Sequence, residues 1–543
     1  MKIGVAQVNP TVGDLDGNAT KIANYAREAK RQGADLCVFG SGALTGAPLA
    51  GLERHAAFMK DALAHLQELG RGLEVLSLVS CPIDIGAYPY SDDGPSYAEK
   101  VDLDSPEPTY ANALFILGDA DDPAQLLYAP DFEPEGSVPI LDIKGGRIPV
   151  ILDGHFNQGL KLDGAAAIIE IASDAYTAEF AAPAALGTLS RPMTISRACQ
   201  TFVVTANLCG ATDSTVFAGN SLAFAPRPRL LHAAAVDEEE LFVFSTDDVS
   251  GTRGAAGDAR LEGAELLWRG IKVATRDYVR KNGFTDVVVG LSGGIDSSVV
   301  ATVAADALGA SHVHGVLMPG PYSSEGSVTD ARELASNLGI ETIDLAIGGP
   351  LDALTSVLAE ACGGSVDGVA AENLQARIRA VYLMTLANAR GWLPLNTGNK
   401  SEAAMGFSTL GGDTAGVFAP IGQVYKTDVY GLAEWRAAQS ESIPRASIEK
   451  APSAELYEGA TDQDRLPPYD KLDEVLLGHV EGGMGAAELV ADGCDAALVS
   501  EVLSTTASAE FKRRLEPLGP KVMGLDLTSD RAWPITCAWR DGS

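Results

Sequence analysis

The sequence predicts an α/β protein built from two domains, and three observations carry that expectation. The chain has 543 residues, too many for one ordinary core at roughly 150 residues per domain. Strand-like and helix-like patterns alternate through both halves, most regularly after residue 285. Between the halves lies VSGTRGAAGDAR (249–260), a small, polar, glycine-rich stretch that reads as a linker. The expected organisation is a first domain over 1–248, a linker over 249–260 and a second domain over 261–543.

The elements follow in order. Residues 1–8 alternate small and apolar side chains like a strand. In 18–33, Ile22, Tyr25, Ala26 and Ala29 share one helical stripe, and Gly33 stands just past the helix end. Residues 34–39 then read as a buried strand, and similar strands recur at 112–118, 149–152, 165–171 and 202–207. The second half begins with a helix over about 261–281. After it come the strand DVVVGL (286–291), the helix DSSVVATVAADAL (296–308), the strand VHGVLM (313–318), the helix SVTDARELASNLG (327–339) and the strand TIDLAI (342–347). That rhythm implies βαβ units and a doubly wound parallel sheet. From about residue 462 the chain turns helical and polar, with FKRR (511–514) as its densest basic cluster.

Composition narrows the function. Apolar residues make up 46% and charged residues 21%, a globular balance that excludes collagen-like and wholly disordered chains. With 40 Lys+Arg against 73 Asp+Glu, the net charge is -33, which repels nucleic acid and anionic membrane. The 7 cysteines are too scattered for a disulfide framework, and no CxxC pair offers a zinc site. No apolar run approaches the ~18 residues of a membrane span. The amino terminus lacks the pattern of a signal peptide. A soluble, cytoplasmic protein is expected.

The most informative string is LSGGIDS (291–297), which follows an apolar strand and opens a helix. Glycines there let the backbone turn tightly and approach a phosphate. The hydroxyls of Ser292, Ser297 and Ser298 and the first N–H groups of the helix face the anion. Asp296 adds a hard oxygen ligand of the kind Mg²⁺ requires. No GxxxxGK[ST] occurs, so this is not a Walker A loop.

This string resembles the signature of the ATP pyrophosphatases, which adenylate a carboxylate or carbonyl and release pyrophosphate. Residues 315–340, 372–384, 396–416, PSAEL (452–456) and 511–517 together resemble NAD synthetase in its long, two-domain form. The resemblance implies ATP-dependent amidation of deamido-NAD to NAD through an adenylated intermediate. It implies that Gly290, Leu291, Ser292, Gly293, Gly294, Ile295, Asp296 and Ser297 hold the ATP phosphates and that Thr397 contacts ATP. Asp296 and Glu402 are expected as catalytic carboxylates that hold Mg²⁺. Asn373 and Arg377, four apart on one helix face, are expected to reach deamido-NAD together with Glu402 and Lys512. Lys426 is a further candidate phosphate clamp. Met318 and Met384 are expected in the core.

The first half is similar to the nitrilase-like amidase domain, an αββα sandwich, in residues 2–22, 34–48 and 207–221. In long NAD synthetases that domain hydrolyses glutamine with a Glu base, a Lys that stabilises the oxyanion and a Cys nucleophile. Here Ser41 stands in the place of the Glu, before ALTG. No Lys or Arg occurs from 101 to 143, and LLYAPDF (126–132) is the nearest match to the Lys context. Residues 147–155 match the nucleophile frame with Asp153 in the place of the Cys. Cys37 reads as core, and Cys209 sits in a glycine-flanked turn and is not expected to substitute. The expectation is a retained scaffold with a degenerate glutaminase site, and a synthetase that uses ammonia directly or from a separate protein. Glutamine use through unusual residues, or a non-catalytic dinucleotide-binding scaffold, are the alternatives. A homo-oligomer is expected by resemblance alone.

Overall fold

The computed structural model describes residues 1–84, 110–119, 122–129, 138–154, 162, 164–176, 184–227, 229–247, 263–539 and 541. The expected linker over 249–260 lies outside the described residues. The chain forms two compact units whose boundary in sequence falls between Glu262 and Gly263.

The first unit is built on two six-stranded sheets. Its elements are β1 (Lys2–Gln7), α1 (Leu15–Arg31), β2 (Leu36–Phe39), α2 (Ala56–Gly72), β3 (Leu76–Asp84), β4 (Tyr110–Leu117), β5 (Ala124–Tyr128), β6 (Ile140–Ile143), β7 (Gly146–Leu152), β8 (Ala167–Ile171), α3 (Ala184–Cys199), β9 (Phe202–Ala206), a short pair β10 (Ala211–Thr212) and β11 (Thr215–Val216), β12 (Leu222–Ala225), β13 (Arg229–Ala233) and β14 (Glu240–Ser245). One sheet runs β14-β1-β2-β3-β4-β5 and the other β13-β12-β9-β8-β7-β6. In each, three central strands are parallel and the flanking strands antiparallel. The parallel strands are buried on both faces, which is why they read as continuous apolar runs.

Alternation along each strand divides the core into layers. Ile3, Val5, Val38 and Leu78 of the first sheet meet Val150, Leu152, Ile169 and Val204 of the second. The opposite face of the first sheet, with Ala6, Cys37 and Phe39, packs on Ile22 and Ala26 of α1 and Ala62 and Leu66 of α2. Ile195 of α3 packs on Ile151, Ile168 and Val203 of the second sheet. The result is an αββα sandwich. Each of these fully buried aliphatic side chains contributes about 1.5–3 kcal/mol, so the layer seams rather than helix propensity hold the unit together.

The second unit contains α4 (Gly263–Lys281), β15 (Val287–Gly290), α5 (Ile295–Leu308), β16 (Val313–Leu317), α6 (Glu325–Leu338), β17 (Glu341–Asp344), α7 (Gly348–Leu358), α8 (Val369–Arg390), β18 (Leu393–Pro394), α9 (Lys400–Met405) and α10 (Lys426–Gln439), followed by shorter helices. Its sheet runs β17-β16-β15-β18, all parallel. Val288 and Val316 pack with Met318, Ile347 and Ile378 on the α8 side. Val287 and Val289 point the other way and are equally buried. Met318 is buried, but Met384 is 37% exposed, because it lies on the outward face of α8 beside Val381. Among the described residues, no helix is long and apolar enough to cross a membrane.

Candidate active site

Topology decides where a ligand can sit in the second unit. Strand order reverses between β15 and β18, and folds of this kind bind ligands in the crevice outside the carboxyl ends of the strands at that point. A cavity of about 460 Å³ lies there. Residues at and after the end of β15 (290–292 and 294–297), of β16 (317–319) and of β18 (395–399) line it.

The glycine-rich loop is held in shape by its own hydroxyls. Ser292 Oγ and Ser297 Oγ lie 3.0 Å apart, Gly294 N–H donates to Ser292 Oγ, and Ser298 Oγ donates to the Gly294 carbonyl. Gly293 has φ +76°, and a Cβ there would lie 2.1 Å from the Ser327 carbonyl oxygen. Only glycine meets both demands. The loop therefore presents backbone and hydroxyl donors at the start of a 14-residue helix, an arrangement suited to an anion.

Beside it lies a charge cluster that no local string reveals. Lys426 is 1% exposed. Its Nζ donates to Asp296 Oδ2 at 2.5 Å and to Glu402 Oε1 at 3.2 Å. Asn399 touches the same two carboxylates: its Nδ2 donates to Asp296 Oδ1 at 3.1 Å and its backbone N–H to Glu402 Oε2 at 3.4 Å, while its Oδ1 accepts the Glu402 backbone N–H at 3.0 Å, capping α9. Burial pushes the Glu402 carboxyl up to about 8, with Lys426 opposing that shift and Asp296 adding to it. Burial also works against the Lys426 ammonium, but Asp296 and Glu402 outweigh it and raise its pKa above the usual lysine value. With both carboxyls ionised, the single ammonium leaves the trio one positive charge short of neutral. Hard oxygen donors of this kind suit Mg²⁺, which takes one or two carboxylates and completes its shell with substrate phosphates and water. Among the described residues, no group of three or more His, Cys, Asp or Glu could hold a metal ion by itself.

Other expected residues are placed unevenly. Thr397 and Asn373 line the cavity, and Asn373 Oδ1 accepts Thr409 Oγ1–H at 2.8 Å. Lys512 also lines it, but its Nζ donates to the Gly406 and Ser408 carbonyls at 2.8 Å each. Arg377 does not join Asn373 as expected: it is exposed, outside the cavity lining, and its Nε donates to the Leu410 carbonyl at 3.1 Å. Arg379 lines the cavity instead, with Nε on the Met318 carbonyl and its pKa lowered by burial. The missed signal was helical phase, since Arg379 neighbours the buried Gln375, Ile378 and Ala380.

In the first unit Ser41 and Asp153, the positions expected to hold the base and the nucleophile, are brought together although 112 residues apart. The backbone N–H groups of Ser41 and Asp153 bond to the carbonyls of Ala172 and Ile171, at the end of β8. Ser41 Oγ donates to Asp153 Oδ2 at 2.8 Å. Asn112 Nδ2 donates to Ser41 Oγ at 2.8 Å and to Asp153 Oδ2 at 2.7 Å. Asn112 is a residue the sequence reading missed. Asp153 holds φ +46°, a left-handed conformation rare outside glycine. Of the stretch 126–132, only residues 126–129 are described. Burial pushes the Cys81 thiol up to about 12 and that of Cys37 higher than a reactive thiol tolerates. Cys209 is also buried.

Comparison with known proteins separates the chain into two matched regions. Residues 2–252 match the carbon-nitrogen hydrolase family and residues 267–516 the NAD synthase family. The chain is 34% identical to the glutamine-dependent NAD(+) synthetase of Rhodobacter capsulatus, over 100% of this chain and 99% of that protein. The chain belongs to the NAD synthetase family. The glutamine-dependent NAD(+) synthetase of Thermotoga maritima is 33% identical over the same shares. The solved glutamine-dependent NAD+ synthetase of Acinetobacter baumannii, in complex with ADP, is 28% identical with a TM-score of 0.70, over 100% of this chain and 99% of that one. This NAD synthetase is thus an enzyme, a ligase, and the non-catalytic scaffold considered from sequence is set aside. The glycine-rich cavity falls in its synthase region, and the Ser41–Asn112–Asp153 cluster falls in its hydrolase region.

Two outcomes follow from these sites. Lys426→Met should destabilise the synthetase unit by about 3–5 kcal/mol, because it leaves Asp296 and Glu402 facing each other without a counter-charge. A fall in the denaturant midpoint reads this. Asp153→Cys alone should create no glutamine hydrolysis above the parent protein, since the position expected to hold the general base is Ser41, whose hydroxyl cannot take the thiol's proton as a carboxylate does. Glutamate release measured with purified protein checks it.

Proposed function

We propose that the enzyme forms NAD by ATP-dependent amidation of deamido-NAD. The nicotinate carboxylate attacks the α-phosphorus of ATP, and the bond to pyrophosphate breaks. Ammonia then adds to the activated carbonyl, the bond to AMP breaks, and a proton is lost. The observation that carries this reading is the Asp296–Lys426–Glu402 cluster beside the glycine-rich loop in one cavity. The donors of residues 290–297 receive the ATP phosphates, and Thr397 meets the nucleotide. Mg²⁺, held by Asp296 and Glu402, would supply charge neutralisation on the phosphates. Lys426, buried and charged, provides a fixed positive charge that needs no reorganisation as pyrophosphate leaves. Asn373 and Glu402 face the dinucleotide. Lys512 has two ammonium donors committed to backbone carbonyls, so its third would meet the dinucleotide.

The nitrogen source has two readings. Glutamine is favoured by the comparisons: relatives matched over nearly their whole length carry the glutamine-dependent name. This reverses the order expected from sequence. One specific observation favours ammonia: the positions expected to hold the base and nucleophile of the hydrolase unit are Ser41 and Asp153, bonded to each other and to Asn112. On that reading the ammonia is free or comes from a separate protein.

A single assay separates them. Purified enzyme with ATP, Mg²⁺ and deamido-NAD is given either ammonium or glutamine, and NAD is measured. Glutamine turnover matching ammonium turnover, free of contaminating glutaminase, establishes the first reading; synthesis with ammonium alone establishes the second. In either case, Asp296→Asn should lower kcat by about 10²–10³, the effect of removing about 3–4 kcal/mol of transition-state stabilisation. A near-parental rate would remove Asp296 from the proposed metal site.

A further inference from the structure

The PSAEL string (452–456) stands out in the sequence, yet the reaction as described gives it no task. The structure makes residues 450–456 one wall of the cavity, and residues 451–456 have no regular secondary structure of their own. A wall without a ladder or helix is held by individual hydrogen bonds, among them Asp462 N–H on the Pro452 carbonyl at 3.0 Å and Ser453 Oγ–H on the Ala460 carbonyl at 2.5 Å. Glu455 ties it to α6. Its Oε1 accepts Ser324 Oγ–H at 2.9 Å and Ser327 Oγ–H at 2.7 Å, and its Oε2 accepts the Ser324 backbone N–H at 3.2 Å. To make these bonds Glu455 adopts φ +48°. A glutamate persists in that conformation only when its surroundings dictate it.

The far end of the latch reaches the phosphate loop. Ser324 caps α6, and Ser327 lies in its first turn. The Ser327 carbonyl fits so closely against Gly293 that a Cβ there would lie 2.1 Å away. Lys450, at the other end of the wall, donates to Ser327 Oγ at 3.0 Å and to Asp330 Oδ2 at 2.5 Å. Gln375 Nε2 holds the Leu456 carbonyl at 3.0 Å. The wall, the first turn of α6 and the glycine-rich loop are therefore one mechanical unit, and Glu455 closes it.

We infer that Glu455 is a positioning residue that latches residues 450–456 over the glycine-rich loop and so keeps the cavity in its nucleotide-competent form. The inference rests on the reading that ATP phosphates occupy residues 290–297. Without the latch the wall samples open states, and apparent affinity falls in proportion to the closed fraction. Once ATP is bound at saturation, it holds the wall itself. Loss of the latch thus acts on KM more than on kcat.

The test compares the parent with Glu455→Ala and Glu455→Gln, using saturating ammonium or glutamine, whichever supports turnover. Glu455→Ala removes three modest hydrogen bonds, so KM for ATP should rise about tenfold with a much smaller fall in kcat. Glu455→Gln keeps an acceptor for the two hydroxyls but not for the Ser324 N–H, and should fall between. Tryptic cleavage after Lys450 should speed up in the Ala variant and be suppressed again by ATP, while the melting temperature stays near that of the parent. Unchanged KM and unchanged cleavage in Glu455→Ala would overturn the inference. A large loss of kcat at constant KM would also overturn it, by assigning Glu455 to the chemistry. If the parent forms no NAD at all, the proposed reaction fails, and ATP protection of Lys450 still decides the latch.

Discussion

The second unit depends on one ammonium wedged between two carboxylates. Asp296 comes from the first turn of α5, after β15, and Glu402 from the first turn of α9, after β18, the two strands that flank the switch in sheet order. Placed near each other in a partly dry cavity they repel, and burial already drives Glu402 toward its neutral form. Lys426 resolves this from the amino end of α10, and Asn399 donates to both carboxylates, from its side chain to Asp296 and from its backbone to Glu402. The pair of loops that bracket the cavity is therefore tied from a third element. Buried ion pairs of this kind add little net stability compared with apolar packing, but they are costly to break. Their role is to set a geometry.

The first unit draws two distant segments of the chain to one point. Hydrogen bonds from the end of β8 bring the Ser41 loop and the Asp153 turn together. The side chains there are a hydroxyl, a carboxamide and a carboxylate. These three bond to one another, with Asn112 supplying N–H donors and Asp153 an acceptor. A glutaminase site needs the opposite: a group that wants a proton, a nucleophile that loses one, and a donor left for the oxyanion. Likeness to the named relatives and the chemistry of these three side chains therefore pull in different directions.

Legibility in the sequence followed contact distance along the chain. The glycine-rich loop and the turn after β18 are continuous strings, so their residues could be read directly, and the central parallel strands showed as apolar runs. The antiparallel pairing of β1 with β14, which joins Lys2 to Ser245, left no local trace. Neither did the bond of Lys426 to Asp296, 130 residues away, or the insertion of Asn112 between Ser41 and Asp153. On α8 the four-residue spacing of Asn373 and Arg377 was real but insufficient. A long arginine side chain goes where a carbonyl accepts it, and here that was Leu410. Glu455 lay inside a string already noticed, but its partners in the first turn of α6 are more than 120 residues earlier.

Burial of Lys426 also bears on how polyanions reach this protein. With a net charge of -33, the surface opposes the approach of any nucleotide. Mobile ions weaken that long-range opposition beyond about 8 Å at physiological ionic strength. A charge enclosed at 1% exposure is shielded far less by the same ions. Asp296 and Glu402 already balance Lys426, so attraction is left to the short-range N–H and hydroxyl donors of the glycine-rich loop. Added monovalent salt lowers the long-range barrier and leaves those contacts in place, and capture of substrate gains from moderate salt rather than losing by it.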